Sequence, residues 1–258
     1  MIDQILKKYE SLGLEIERSC ASMCQKLTNH PCLPKCSDEV VCCKQIFPLC
    51  FIEAYYISIG VKKLDRSVRR DLERHAEKSQ NALIKKITEF NSKSDASIIQ
   101  SVYANTDYET HNSAQQSITK FLHSQKTDCP FLHENLCQIY THRNIDCRIH
   151  GFAYDKNTNE ILGCHRHKEI FTGENRKKFE SEAVPHNFMY KEKINLDASS
   201  IFYLTGDEKY RSVRYLTTPF MPILRDYSTF DWNKFFTSKL PPENLELNSY
   251  SLVFDLEV

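Results

Sequence analysis

Three cysteines fall in one short segment of this chain, Cys129, Cys137 and Cys147, with seven and then nine residues between them. No hydrophobic period in the segment would bury them as plain core. A second group, Cys32, Cys36, Cys42 and Cys43, lies far upstream, and Cys164 follows downstream. Thiolates are soft ligands that select zinc, copper(I) and iron–sulfur clusters. These eight residues are therefore read as ligands that meet in space around a metal or a metal cluster.

The spacing bears on which metal. Only Cys32 and Cys36, with three residues between them, have the spacing of a zinc knuckle. The gaps of seven, nine and sixteen residues around Cys137 and Cys147 are long and irregular. An iron–sulfur cluster also takes four thiolates, but its irons spread over a larger core and accept varied spacing. The expected cofactor is an iron–sulfur cluster, 4Fe-4S before other types, with zinc as the alternative. Vicinal cysteines direct their side chains differently, so Cys42 and Cys43 are not expected to bind the same ion.

Charged neighbours fit such a centre. Four thiolates on one zinc leave a net negative charge, which Arg148, beside Cys147, and Arg143 would offset. The competing reading of Arg148 is a surface side chain paired with Asp146 or Glu134. His165 and His167 offer nitrogen ligands, although a solvated basic loop is the simpler account. Cys20 and Cys24 stand one helical turn apart, yet Cys20 lies on an apolar stripe and reads as core, as does Cys50.

Composition narrows the remaining classes. The 258 residues suffice for a real core, and hydrophobic content of 41% is that of a globular chain. Lysine plus arginine equal aspartate plus glutamate at 34 each, so no overall charge favours nucleic acid or an anionic membrane surface. No apolar run approaches the ~20 residues that span a bilayer, and residues 1–8 lack the apolar segment of a secretory signal. A cytoplasmic location follows as the expectation, where thiols stay reduced and clustered cysteines are ligands or catalytic groups rather than disulfides. Six glycines, none close to another, exclude the Gly-rich phosphate loops and the dinucleotide fingerprint.

The elements that must position the cysteines are mainly helical. Apolar residues from Ile2 to Leu27 recur at helical steps, with Gly13 weakening or splitting that helix. Leu49 to Ile59 is apolar nearly all round, a buried helix with Gly60 as its C-cap. Leu64 to Phe90 traces a long amphipathic helix with Asp65 as N-cap. Its Lys62, Lys63, Arg66, Arg69 and Arg70 read as a solvated face. Residues 91–112 read as a loop with a helical piece around Ile98 to Tyr103, and 111–122 as a short helix. Residues 152–163 form two short strands around a polar turn. A charged helix runs from Glu174 to Ala183 and stops at Pro185, ahead of an aromatic-rich stretch. Asp231 caps a short helix, and 250–258 read as a terminal strand.

Taken together, the expected fold is mainly α with a small irregular or β-hairpin part, a helical domain stapled by a cysteine-ligated metal centre. Residues 1–170 would form the cysteine-cluster domain, and 171–258 a C-terminal extension packed on it or part of it.

The cysteine pattern also resembles a known family. Cys32-x3-Cys36, the Cys42-Cys43 pair, Cys129-Pro-Phe-Leu, Cys137-x-Ile-Tyr and Arg143-x3-Cys147-Arg148 are similar to the zinc- or iron-chelating cysteine-cluster family, which includes the flagellin lysine N-methylases. The resemblance covers roughly Cys32 to Cys164. It departs from the family in two places: five residues, 37–41, precede the Cys pair where two are usual, and Asn144 replaces a proline. The resemblance implies a bound metal centre on these cysteines. Methyl transfer from S-adenosylmethionine to a protein lysine, known for part of the family, is the alternative function. A radical-type Cys-x3-Cys-x2-Cys is missing, because Glu39 stands where its third cysteine would be. A cysteine–histidine hydrolase has no pair assignable from spacing. A protein partner or substrate is expected without an identity, and catalytic residues are not assigned.

Overall fold

The computed structural model describes residues 2–26, 42–93, 99, 101–133, 136–150, 152–155, 160–162, 172–182 and 184–257. The expected first helix, α1, runs Ile2–Lys26 and buries Tyr9, Leu12, Ile16, Cys20 and Met23 along one face. Gly13 does not split it. A Cβ there would lie 3.3 Å from the guanidinium of Arg148, so glycine permits a side chain to rest on the helix backbone.

A two-residue strand β1, Leu49–Cys50, leads directly into helix α2, Phe51–Lys62. Almost every residue of α2 is buried, as its all-round apolar character predicts. Gly60 lies inside this helix rather than capping it. A Cβ at Gly60 would come 2.6 Å from the His142 side chain, so close approach explains that glycine. The long amphipathic helix α3, Arg66–Lys93, begins right after Asp65 as expected.

Residues 102–106 correct the sequence reading. Val102–Thr106 is a strand, β2, not part of a helical piece. It is followed by α4, Tyr108–Ser124, whose N-cap Asp107 accepts a hydrogen bond from the Thr110 amide at 2.8 Å. Two short strands, β3 at Leu132–His133 and β4 at Leu136–Cys137, pair antiparallel. After the single-turn helix α5, Ile145–Ile149, the expected hairpin forms from β5, Ala153–Asp155, and β6, Glu160–Leu162. The charged helix α6, Gly173–Glu182, is also present, and β7, Val184–Pro185, adds to β5 in parallel.

Helix α7, His186–Thr205, occupies the start of the stretch read only as aromatic-rich. Strand β8, Val213–Thr217, comes next, then the short helices α8, Met221–Leu224, and α9, Trp232–Lys239, and finally strand β9, Tyr250–Asp255. The N-cap of α9 is Asp231, as the sequence indicates. A mixed sheet has the order β1-β8-β9-β2, in which β8 and β9 are parallel and the other pairs antiparallel. Parallel neighbours need a crossover, which α8 and α9 supply.

The chain is mainly helical around this small sheet. Residues beyond 171 provide both interior strands, and α7 packs against α1 and α2. An aromatic cluster of Phe51, Tyr215, Tyr227, Trp232 and Phe236 joins α2, β8 and α9, with the Phe51 and Trp232 rings edge-on at 4.8 Å. Among the described residues no helix is long and apolar enough to cross a membrane.

Candidate metal centre and its adjoining cavity

Four of the eight predicted ligands come together. Cys43 sits in a single turn of 3-10 helix, Cys42–Lys44, and its carbonyl accepts from the Cys129 amide at 2.6 Å. The hairpin of β3 and β4 then folds back, pairing Leu132 with Cys137. Asn144 caps α5 by accepting from the Cys147 amide at 2.9 Å. The upstream turn that carries Cys43 thus meets the short segment that carries Cys129, Cys137 and Cys147.

The thiols sense one another. Burial pushes the Cys147 thiol well up, and charge on Cys129, Cys43 and Cys137 adds to the shift. Burial and then the Cys43 charge raise Cys129. Cys137 is pushed up to about 11, by burial first, with Cys43 adding and the Arg143 and Arg148 cations opposing. Cys43 is the member of the vicinal pair felt at all three other thiols. Even so, among the described residues no three His, Cys, Asp or Glu side chains already stand as a closed metal cage. Cys32, Cys36 and Cys164, with His165 and His167, lie outside the described residues.

Arg148 departs from one of its two sequence readings. It is not a surface side chain, and it does not pair with Asp146; only 4% of the side chain is exposed, and among the described residues its ion pair is with Glu17 of α1. Glu134 lies outside the described residues. Its other hydrogen bonds go to the carbonyls of Arg143 at 3.0 Å and Thr141 at 2.7 Å. Arg148 therefore clamps the loop before Cys147 to α1, while its charge still favours the Cys137 thiolate. Arg143 lies 3.6 Å over the Tyr140 ring. Cys20 is buried core, and its thiol donates to the Arg148 carbonyl at 3.8 Å.

Behind α5 lies a buried polar cluster that the sequence reading missed. Glu53, fully buried in α2, accepts from the amides of Cys50 and Ile145, each at 3.2 Å, and from the Tyr9 hydroxyl at 3.3 Å. Lys193 of α7 lies 3.4 Å from Glu53 and 3.0 Å from Asp146. One carboxylate thus ties α1, the start of α2, α7 and the helix bearing Cys147. Burial raises the Glu53 carboxyl above its usual range, and Lys193 opposes that shift. Burial alone would lower the Lys193 ammonium, but Asp146 and Glu53 hold it well above its ordinary value, so it acts as a fixed cation.

Four residues along α7, Asp197 accepts from the Ile52 amide at 3.0 Å, and burial raises its carboxyl to about 6. Cys50, read from sequence as core, lies against Asp197 at the wall of a cavity of about 400 Å³. Its thiol is held well above the ordinary value by burial and by Asp197, so it stays protonated. The same cavity meets Asp146, Lys193 and Arg214, and through α5 it abuts the thiol cluster.

The sequence carried one usable signal for this cluster. Glu53 is the only charged residue between Leu49 and Val61, and a lone charge in an apolar helix must be paired or neutral. Lys193 and Asp197 gave no such signal, since charged residues four apart ordinarily mark a solvated face.

No protein-family model, curated protein or solved structure matches the chain.

Proposed function

We propose that this is a metal-centre protein in which Cys43, Cys129, Cys137 and Cys147 are the thiolate ligands of an iron–sulfur cluster, or of zinc. The observation that carries the reading is that Cys43 joins the three thiols of the 129–147 segment from far upstream, each of the three sensing the charge on Cys43. The donor set fits the group. All four are soft ligands, and Arg143 and Arg148 offset the negative charge at Cys137. Bound there, a cluster would supply one-electron chemistry, whereas zinc would supply a cross-link.

On this reading the centre staples the 43–50 segment, the β3–β4 hairpin and α5 into one unit. The thiols must ionise and draw together to bind, so loading releases protons and favours the folded state. Arg148 and Asn144 act as positioning residues for Cys147, and Glu53 fixes the start of its helix. Methyl transfer from S-adenosylmethionine to a protein lysine rests on the family resemblance alone. Labelled cofactor with candidate protein substrates tests it, by transfer that disappears in Cys137→Ala.

Anaerobic purification, followed by iron, sulfide and zinc analysis with optical and Mössbauer spectra, decides between the centres. Cys129→Ser, Cys137→Ser and Cys147→Ser each lose most of the metal, while Cys20→Ser keeps it. Retention of full metal content by Cys137→Ser sinks the assignment, as does free titration of all four thiols without metal release.

A further inference from the structure

The cavity beside the thiol cluster has its own chemistry, independent of any metal. Strand β8 forms one wall through Arg214 and Leu216, two apart and so on one face of the sheet. Phe47, Ile149 and Ile194 make much of the remaining lining apolar. A volume of about 400 Å³ with mostly apolar walls and a few convergent polar groups is typical of a small-molecule site.

Most of the charge facing this space is already committed. Lys193 is held between Asp146 and Glu53. Asp197 accepts from the Ile52 amide, and the Cys50 thiol faces it. Arg214 is the exception. Its guanidinium has five N–H donors, yet among the described residues its one hydrogen bond goes to the adjacent carbonyl of Val213, at 3.3 Å. Among the described residues it forms no ion pair, although Asp197 senses its charge. A half-buried guanidinium with unused donors on the wall of an apolar cavity matches a carboxylate or phosphate group, which it can hold by two parallel hydrogen bonds.

We propose that this cavity binds a small organic anion, a carboxylate or phosphate ester on an apolar body, with Arg214 as the anchor for the anionic group. The apolar body lies toward Phe47 and Ile194.

Titration calorimetry on the purified, metal-analysed protein tests this with four matched probes: 1-naphthoate, 1-naphthyl phosphate, neutral 1-naphthamide and cationic 1-naphthylmethylamine. One of the two anions binds at least about tenfold more tightly than the amide, and which one does so identifies the preferred oxyanion. Arg214→Met removes that preference and leaves amide binding within about threefold, and Arg214→Lys restores part of it. Thr119→Trp, which fills the cavity from α4, abolishes binding, whereas Trp at the exposed Gln116 does not; this pair decides the matter if Arg214→Met fails to fold. Amine binding as tight as the anions, unchanged binding in Arg214→Met or Thr119→Trp, or no binding by any probe overturns the proposal. Metal content measured on each variant separates that failure from failure of the metal-centre reading.

Discussion

Arg148 shows how one side chain can serve both packing and chemistry. Its guanidinium lies against Gly13, pairs with Glu17 and satisfies two carbonyls of the loop that delivers Cys147. Replacing it with methionine strips those carbonyls of a charged donor while leaving Glu17 partly in water. The expected cost is about 2–4 kcal/mol, less than for a fully enclosed pair because Glu17 is 38% exposed. Urea unfolding of Arg148→Met measures it, and a change under about 1 kcal/mol would show that the clamp contributes little. The role was hidden at the residue level. An arginine beside a cysteine gives a motive for charge compensation, but its partner Glu17 lies on a helix more than a hundred residues away.

Helices α2 and α7 meet through charged groups, and that decides which of them the sequence reveals. Among the buried residues of α2 only Glu53 is charged and nearly all the rest are apolar or aromatic, so its burial is readable from composition. Helix α7 turns Met189, Lys193, Asp197, Ser200 and Ile201 inward. Its buried stripe is therefore half polar, and the hydrophobic period that identifies α1, α3 and α4 is absent. Strand β2 was obscured differently, since its pairing with β9 is set by residues far along the chain. The α2–α7 contact also gives stability a pH dependence. Folding raises the Asp197 carboxyl from 3.8 to about 6, so the folded state binds the extra proton. This group's contribution is complete below pH 4 and is lost as pH rises through 6, a change of about 3 kcal/mol. Asp197→Asn removes that fall. The stability difference between variant and wild type should shift toward the variant by about 2.4 kcal/mol from pH 4 to pH 7. A shift below about 1 kcal/mol would mean that the carboxyl is not perturbed.

For the molecule as a whole, the sheet is what unites the two halves of the sequence. Val253 is buried on β9 between β8 and β2, paired with Val102 on one side and Tyr215 on the other. Val253→Asp places a charge where neither neighbour can pair it, and a loss above about 4 kcal/mol is expected, enough to unfold many domains. Leu247→Asp, at a position 63% exposed, is expected to stay within about 0.5 kcal/mol of wild type by the same circular-dichroism melt. Helical content and the grouping of cysteines were open to inspection because both are local patterns. The cavity was not, because its walls come from α4, α5, α7 and β8, and no sequence window contains them together.

The sheet order has a further consequence, in time rather than space. Leu49 pairs with Thr217 and Val102 with Val253, so its strands must find partners across most of the chain, and such non-local pairing forms slowly. Cys129, Cys137 and Cys147 share a short segment, and their approach closes only small loops. During renaturation these thiols therefore meet while the sheet is still open and solvent reaches them. Air oxidation at that stage would lock them as disulfides, and recovery of folded protein should depend on reductant in the first moments rather than on reductant added later.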